Sequence, residues 1–139
     1  MNDTGGIPNP NLEVRSRITR LFESQRAAFQ AAPYPSAAER IHKLRALKNQ
    51  IRRYQDLLCD ALNTDFGFRH ATESKLLDLL GSVLDADHAM THLKRWMRPS
   101  RRSTELLFFS NSLQVTYQPK GVVGVIVPWN FPVYLALGP

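Results

Sequence analysis

The chain has 139 residues, 43% hydrophobic and 22% charged, with 18 Lys and Arg against 12 Asp and Glu. No apolar run approaches the ~20 residues that span a bilayer, a single cysteine cannot form an internal disulfide, and the polar start Met1-Asn-Asp-Thr-Gly-Gly lacks the basic-then-apolar pattern of a secretory leader. Collagen, disulfide scaffolds, membrane spans and wholly disordered tails are excluded, and a globular protein of the reducing cytoplasm is expected.

Met1 to Asn11 holds two Gly, two Pro and three Asn with one aliphatic side chain, Ile7, too little apolar area to offset its ordering entropy, so a flexible tail is expected. From Leu12 to Ala32, Val14, Ile18, Leu21, Phe22, Ala28 and Phe29 recur at helical spacing, and Pro33 and Pro35 end the run. Ser36-Ala-Ala-Glu39 reads as a capping box that opens a second helix. Ile41, Leu44, Lys48, Ile51, Leu58 and Leu62 share one side of it, and it ends near Asn63 to Gly67. A third helix begins near Thr72, with a seam of Leu79, Val83, Ala86, Met90, Leu93 and Met97. Leu76, Leu77, Leu80 and Leu84 widen that seam, which predicts burial on more than one side before Pro99 ends the helix.

Beyond Arg102 the texture changes to β-formers. Glu105–Phe109 and Leu113–Gln118 predict an antiparallel hairpin across the turn Ser110-Asn-Ser112. After Pro119-Lys-Gly121, Val122–Val127 is an almost continuous aliphatic run, the pattern of a parallel strand covered on both faces. Pro128-Trp-Asn-Phe-Pro132 is a stiff loop, and Val133–Leu137 starts another helix. A strand, its loop and the beginning of a crossover, without the neighbouring strand, predict the N-terminal piece of a longer α/β protein. The expected organisation is a tail over 1–11, a helical part over 12–103, the hairpin over 104–119, and the first strand and loop of a sheet over 120–139.

Most of the polar constellations read as structural. Cys59 follows Leu57-Leu58 within a helix, a setting for a buried, inert thiol, whereas a nucleophile needs a base or a helix N-terminus to lower its pKa. His88 and His92 share a helix face within reach of Asp85, but no Cys/His cluster or HExxH pattern accompanies them, so no metal is expected. Net charge is +6, and the cluster Lys94-Arg95, Arg98, Arg101 and Arg102 has no zinc-finger, helix-turn-helix or interleaved aromatic signature. It reads as a solvated face or subunit contact at a helix C-terminus, with no nucleic acid as partner.

Asn130 differs, standing between Trp129 and Phe131 and bracketed by Pro128 and Pro132 just past the carboxyl end of the expected strand. Ligands of open α/β sheets bind there. A carboxamide held by two prolines can donate to developing negative charge with little reorganisation. On pattern alone, an ordinary loop whose Asn caps the next helix fits equally well.

Gly121-Val-Val-Gly-Val-Ile-Val-Pro-Trp-Asn-Phe-Pro132 resembles the first strand and following loop of the NAD(P)-dependent aldehyde dehydrogenase superfamily, and Pro128-Trp-Asn-Phe-Pro132 is among the most specific short signatures of that family. Tyr117-Gln-Pro-Lys-Gly-Val-Val-Gly124, Thr64-Asp-Phe-Gly67 and Trp96-Met-Arg-Pro99 match as well. Leu93–Pro99 and Tyr134-Leu-Ala-Leu137 are most similar to the coniferyl-aldehyde dehydrogenase group.

The resemblance implies an enzyme that oxidises an aldehyde to a carboxylic acid with NAD or NADP. It implies that Asn130, with the backbone amide of the nucleophile, holds the thiohemiacetal oxygen. It places Val127, Pro128 and Trp129 beside the nicotinamide end of the cofactor, and Phe131 and Tyr134 along the aldehyde tunnel. It further implies a homo-oligomer with Glu105–Gln118 at a subunit contact. The family's cysteine nucleophile, general-base glutamate, cofactor-binding lysine and glycine turn lie further along than Pro139, so these residues alone are expected to be inactive. The rival reading is a non-catalytic helical module that pairs with intact subunits through its hairpin and strand edges.

Overall fold

The computed structural model describes residues 10–139. Nine of the eleven residues expected to form a tail lie outside that range, while Pro10 and Asn11 already belong to the first helix, α1 (Pro10–Ala31). Two compact units form: the residues up to Tyr34 together with Pro119–Val123, and Pro35–Gln118 together with Gly124–Pro139.

In the first unit α1 follows the predicted span, and Leu12, Val14, Ile18, Leu21 and Phe22 stay exposed along it. Near its C-terminus Phe29 lies against Gly121, whose φ of +100° is strained for any side chain and whose Cβ would stand 3.4 Å from the phenyl ring.

The second unit opens with the expected capping box. Ser36 Oγ accepts from the Glu39 amide at 3.2 Å, and Glu39 Oε2 accepts from the Ser36 amide at 2.6 Å. The helix so started, however, is two helices, α2 (Ala37–Arg53) and α3 (Gln55–Phe66), separated at Tyr54 (φ −102°, ψ 13°) with no proline or glycine to mark the break. Gly67 closes α3 in the left-handed region at φ +76°, donating to the Asn63 carbonyl at 2.7 Å.

His70 then caps a long helical rod, its Nδ1 accepting from the Thr72 amide at 3.2 Å. The rod comprises α4 (Ala71–Ser74), a π-helical turn (Lys75–Leu80) and α5 (Gly81–Trp96), with right-handed helical dihedrals through both junctions. Its inner side carries the predicted seam: Leu79, Val83 and Ala86 are buried, and Met90, Leu93 and Met97 are half-buried. Leu79 and Val83 pack with Ile51 and Cys59 as the core, joined at its edge by Leu47, Leu58 and Val133. The expected burial on further sides is not observed, since Leu76, Leu77, Leu80 and Leu84 are exposed. The core draws on one face of the rod.

The strands depart furthest from expectation. The sheet has two antiparallel strands, β1 (Ser100–Arg102) and β2 (Leu113–Val115), in the register Ser100↔Val115, Arg101↔Gln114 and Arg102↔Leu113. Glu105–Phe109 is therefore not the partner of β2. Leu106–Phe108 winds instead into a 3-10 turn, with the Phe108 amide donating to the Glu105 carbonyl. Four successive large apolar residues carry no alternation with which to sort two faces, and β-propensity alone does not supply a ladder. Val122–Val127 forms no strand either: among the described residues no strand pairs with it to take its backbone groups. The final helix is α6 (Pro132–Leu137).

Candidate active-site loop

Along the rod Ser74, Asp78 and Ser82, four residues apart, form a buried polar stripe beside the apolar seam. Asp78 sits in the π-helical turn and has no exposed surface. A buried carboxylate is tolerated only where it is paired and hydrogen-bonded. Here Oδ2 accepts from Arg69 Nη1 at 3.0 Å, while Oδ1 accepts from the backbone amides of Val133 and Tyr134 at 3.2 and 3.1 Å. Those amides lie in the first turn of α6, so Asp78 supplies from outside the cap that Phe131, at the cap position, does not provide.

Arg69 is 7% exposed and completes the arrangement. Its Nη2 donates to the Asn130 carbonyl at 2.6 Å, and its Nε lies 3.8 Å from Glu73 Oε1. The guanidinium lies over the ring of Phe66, 4.0 Å from the centroid, and 5.2 Å from that of Phe131. The backbone from Asn130 to Tyr134 is thus tied at three points to one buried ion pair.

The site residues expected from the sequence gather on this loop. Asn130 is exposed, and its carboxamide makes no hydrogen bond with the described chain. The helix-capping role open to it on pattern alone falls to Asp78. Pro128 is exposed, Trp129 is 87% exposed, and Val127 and Phe131 are half-buried. The ring of Tyr134 lies on Gly81 so closely that a Cβ there would stand 2.8 Å from it. The Tyr134 hydroxyl bonds to Asp85, and that bond, followed by the Asp85 charge, pushes its pKa up. Arg69 and Asp78 were missed by sequence reasoning. The signal for Asp78 was the four-residue spacing of Ser74, Asp78 and Ser82 beside the Leu79–Val83 seam, whereas nothing local marked Arg69.

Other polar groups lie away from this loop. Cys59 is buried, with Sγ 3.8 Å from the Ala71 carbonyl, and burial pushes its thiol pKa up against the smaller opposing pull of Lys75. His88 and His92 stack with ring centroids 4.1 Å apart, and His92 stacks in turn on Trp96. Among the described residues no group of three or more His, Cys, Asp or Glu is placed to hold a metal ion. No described helix is long and apolar enough to cross a membrane.

Comparison with known proteins makes the class of this helical segment and loop definite. The chain belongs to the aldehyde dehydrogenase family, whose model matches residues 11–139. It is 43% identical over 124 residues, 89% of its length, to a probable coniferyl aldehyde dehydrogenase of Pseudomonas aeruginosa, of which it covers 26%. It is 40% identical over 61% of its length to a coniferyl aldehyde dehydrogenase of a Pseudomonas species, covering 17% of that protein. To the aldehyde dehydrogenase family 3 member B2 of Mus musculus it is 34% identical over 85% of its length, covering 24%. The chain thus spans about a quarter or less of these relatives.

Proposed function

We propose that this chain is the N-terminal part of an NAD(P)-dependent aldehyde dehydrogenase that oxidises an aromatic, coniferyl-type aldehyde to the carboxylic acid, with Asn130 as oxyanion stabiliser. The substrate class rests on the names of the relatives at 40–43% identity. The role of Asn130 rests on one observation: its carboxamide is exposed and uncommitted on a loop whose backbone is fixed by a buried ion pair. A donor presented this way meets developing negative charge without reorganising.

The residues present fit a nicotinamide at this loop. Pro128 and the broad face of Trp129 form an exposed apolar edge, backed by half-buried Val127, on which a flat ring can pack. When bound, NAD or NADP accepts the hydride that leaves the aldehyde carbon. The chain's own contributions are to orient and to stabilise charge. Asn130 donates an N–H to the carbonyl oxygen as it becomes an oxyanion, and Phe131 excludes water from one side. Tyr134 contributes an aromatic wall toward the aldehyde, with its hydroxyl held by Asp85. The complete protein is read as a cytoplasmic homo-oligomer with a larger α/β fold around Val122–Val127.

In an enzyme carrying this segment within its complete fold, Asn130→Ala should lower kcat by ~10²–10³-fold while cofactor affinity stays close to wild type. Wild-type kcat, measured where the chemical step limits turnover, refutes the assignment. The second reading, a module that pairs with intact subunits, draws on the apolar surface at Val123, Val125 and Ile126, the last fully exposed. Native mass separates the two readings: the module assembles into defined oligomers as it stands, whereas a part of an enzyme does so only within the longer chain.

A further inference from the structure

We propose that Arg69 and Asp78 are positioning residues: their buried pair sets the backbone of the Pro128–Pro132 loop and thereby the point from which the Asn130 carboxamide donates its hydrogen bond. The inference rests on the oxyanion reading of Asn130 and extends it to two residues far from the loop in sequence.

Burying two opposite charges is a poor way to gain stability, because desolvation offsets most of the attraction and an apolar pair of similar volume often serves as well. An apolar pair could not do what these side chains do at the loop. Asn130 offers a carbonyl and needs a donor, while Val133 and Tyr134 offer amides and need an acceptor. The pair provides both from one unit, the two terminal nitrogens of Arg69 dividing between the loop and Asp78. The fixed points thus flank Phe131 on both sides. The guanidinium plane is itself oriented by the rings of Phe66 and Phe131.

Asp78 stands in a π-helical turn, a form rare within helices that recurs at functional sites. The same geometry makes the identity of Arg69 matter. A lysine keeps the charge, but its single ammonium lacks the planar fork that reaches Asp78 and the Asn130 carbonyl from separate nitrogens.

The test is a double-substitution cycle in the enzyme that carries this segment within its complete fold. Arg69→Lys, Asn130→Ala and the combination are compared by kcat under conditions where chemistry limits the rate, with melting temperature recorded for each. Arg69→Lys should slow turnover by roughly 10- to 100-fold, since displacing a catalytic group by about 1 Å can cost ~10²-fold. Asn130→Ala should slow it ~10²–10³-fold. The combined variant should be no slower than Asn130→Ala alone, because the placement of an absent carboxamide has no effect on rate.

Losses that multiply in the combined variant overturn the positioning role while leaving the oxyanion reading intact, since a merely structural residue slows both backgrounds alike. Wild-type kcat in Arg69→Lys has the same meaning. Wild-type kcat in Asn130→Ala removes the oxyanion reading and this proposal together. If Arg69→Lys fails to fold, Asp78→Asn goes through the same cycle, because it keeps the size of the side chain and an acceptor oxygen for α6.

Discussion

Replacing Asp78 with Asn isolates the contribution of one buried charge to the start of α6. The helix has six residues, too few to hold together in water unaided, so its order depends on the Val133 contact with the core and on the Asp78 cap. In the native protein two amide donors meet the carboxylate at 3.2 and 3.1 Å. A hydrogen bond to a charged group contributes ~1.5–3 kcal/mol net, against ~0.5–1.5 for a neutral one. Exchanging the carboxylate for a carboxamide therefore removes about 1–1.5 kcal/mol at each amide, or about 2–3 kcal/mol for opening α6.

Residue-resolved amide hydrogen exchange reads this directly. At ~1.4 kcal/mol per factor of ten, the Val133 and Tyr134 amides should exchange roughly 30- to 140-fold faster in Asp78→Asn. The Ser36 amide, held by Glu39 in the remote capping box, provides the internal control and should not change. Unchanged exchange at Val133 and Tyr134 would refute the assignment of Asp78 as the cap of α6. Uniform acceleration across both sites would show that the substitution acts on global rather than local stability.

Two further outcomes follow from titrating groups. Hydrogen bonds to the Glu39 carboxylate, from the Ser36 side chain first and the Ser36 amide second, hold its pKa below the ordinary 4.5, so the capping box stabilises fully above that value and loses its contribution as pH falls through the lowered folded value. Wild type should melt above Glu39→Gln at neutral pH and converge with it in acid, and a gap that stays constant across the series would contradict the linkage. Cys59, buried and with its pKa pushed up chiefly by burial, should react with a maleimide only through opening of the core. Its labelling rate should rise steeply with urea, and a native rate within about tenfold of a free thiol would show that the site is not closed.

What the sequence disclosed and what it withheld divide by range. The capping box at Ser36 and Glu39, the stop at Gly67 and the seam through Leu79, Val83 and Ala86 are local signals, written within a few residues of where they act. The asparagine at the loop was legible for the same reason, its neighbours Pro128 and Pro132 being adjacent. Its supports were not: Arg69 reaches Asn130 across 61 residues, and Asp78 reaches Val133 and Tyr134 across 55 and 56. No periodicity connects positions so far apart, and a charged residue in a helix reads by default as a solvated one. Even Asp78, whose spacing from Ser74 and Ser82 hinted at burial, gave no indication of the amides it would meet.

The strands show the converse limit. The alternation of Leu113 and Val115 found a ladder, but with Ser100–Arg102, three residues read as the end of a basic run. Val122–Val127 has the composition of a doubly covered strand and leaves Val123, Val125 and Ile126 exposed. A pattern states which surroundings a segment requires, and pairing is a property of two segments. Covering Val122–Val127 therefore requires a neighbouring strand on at least one edge and packing on both faces, the environment that the larger aldehyde dehydrogenase fold is proposed to supply.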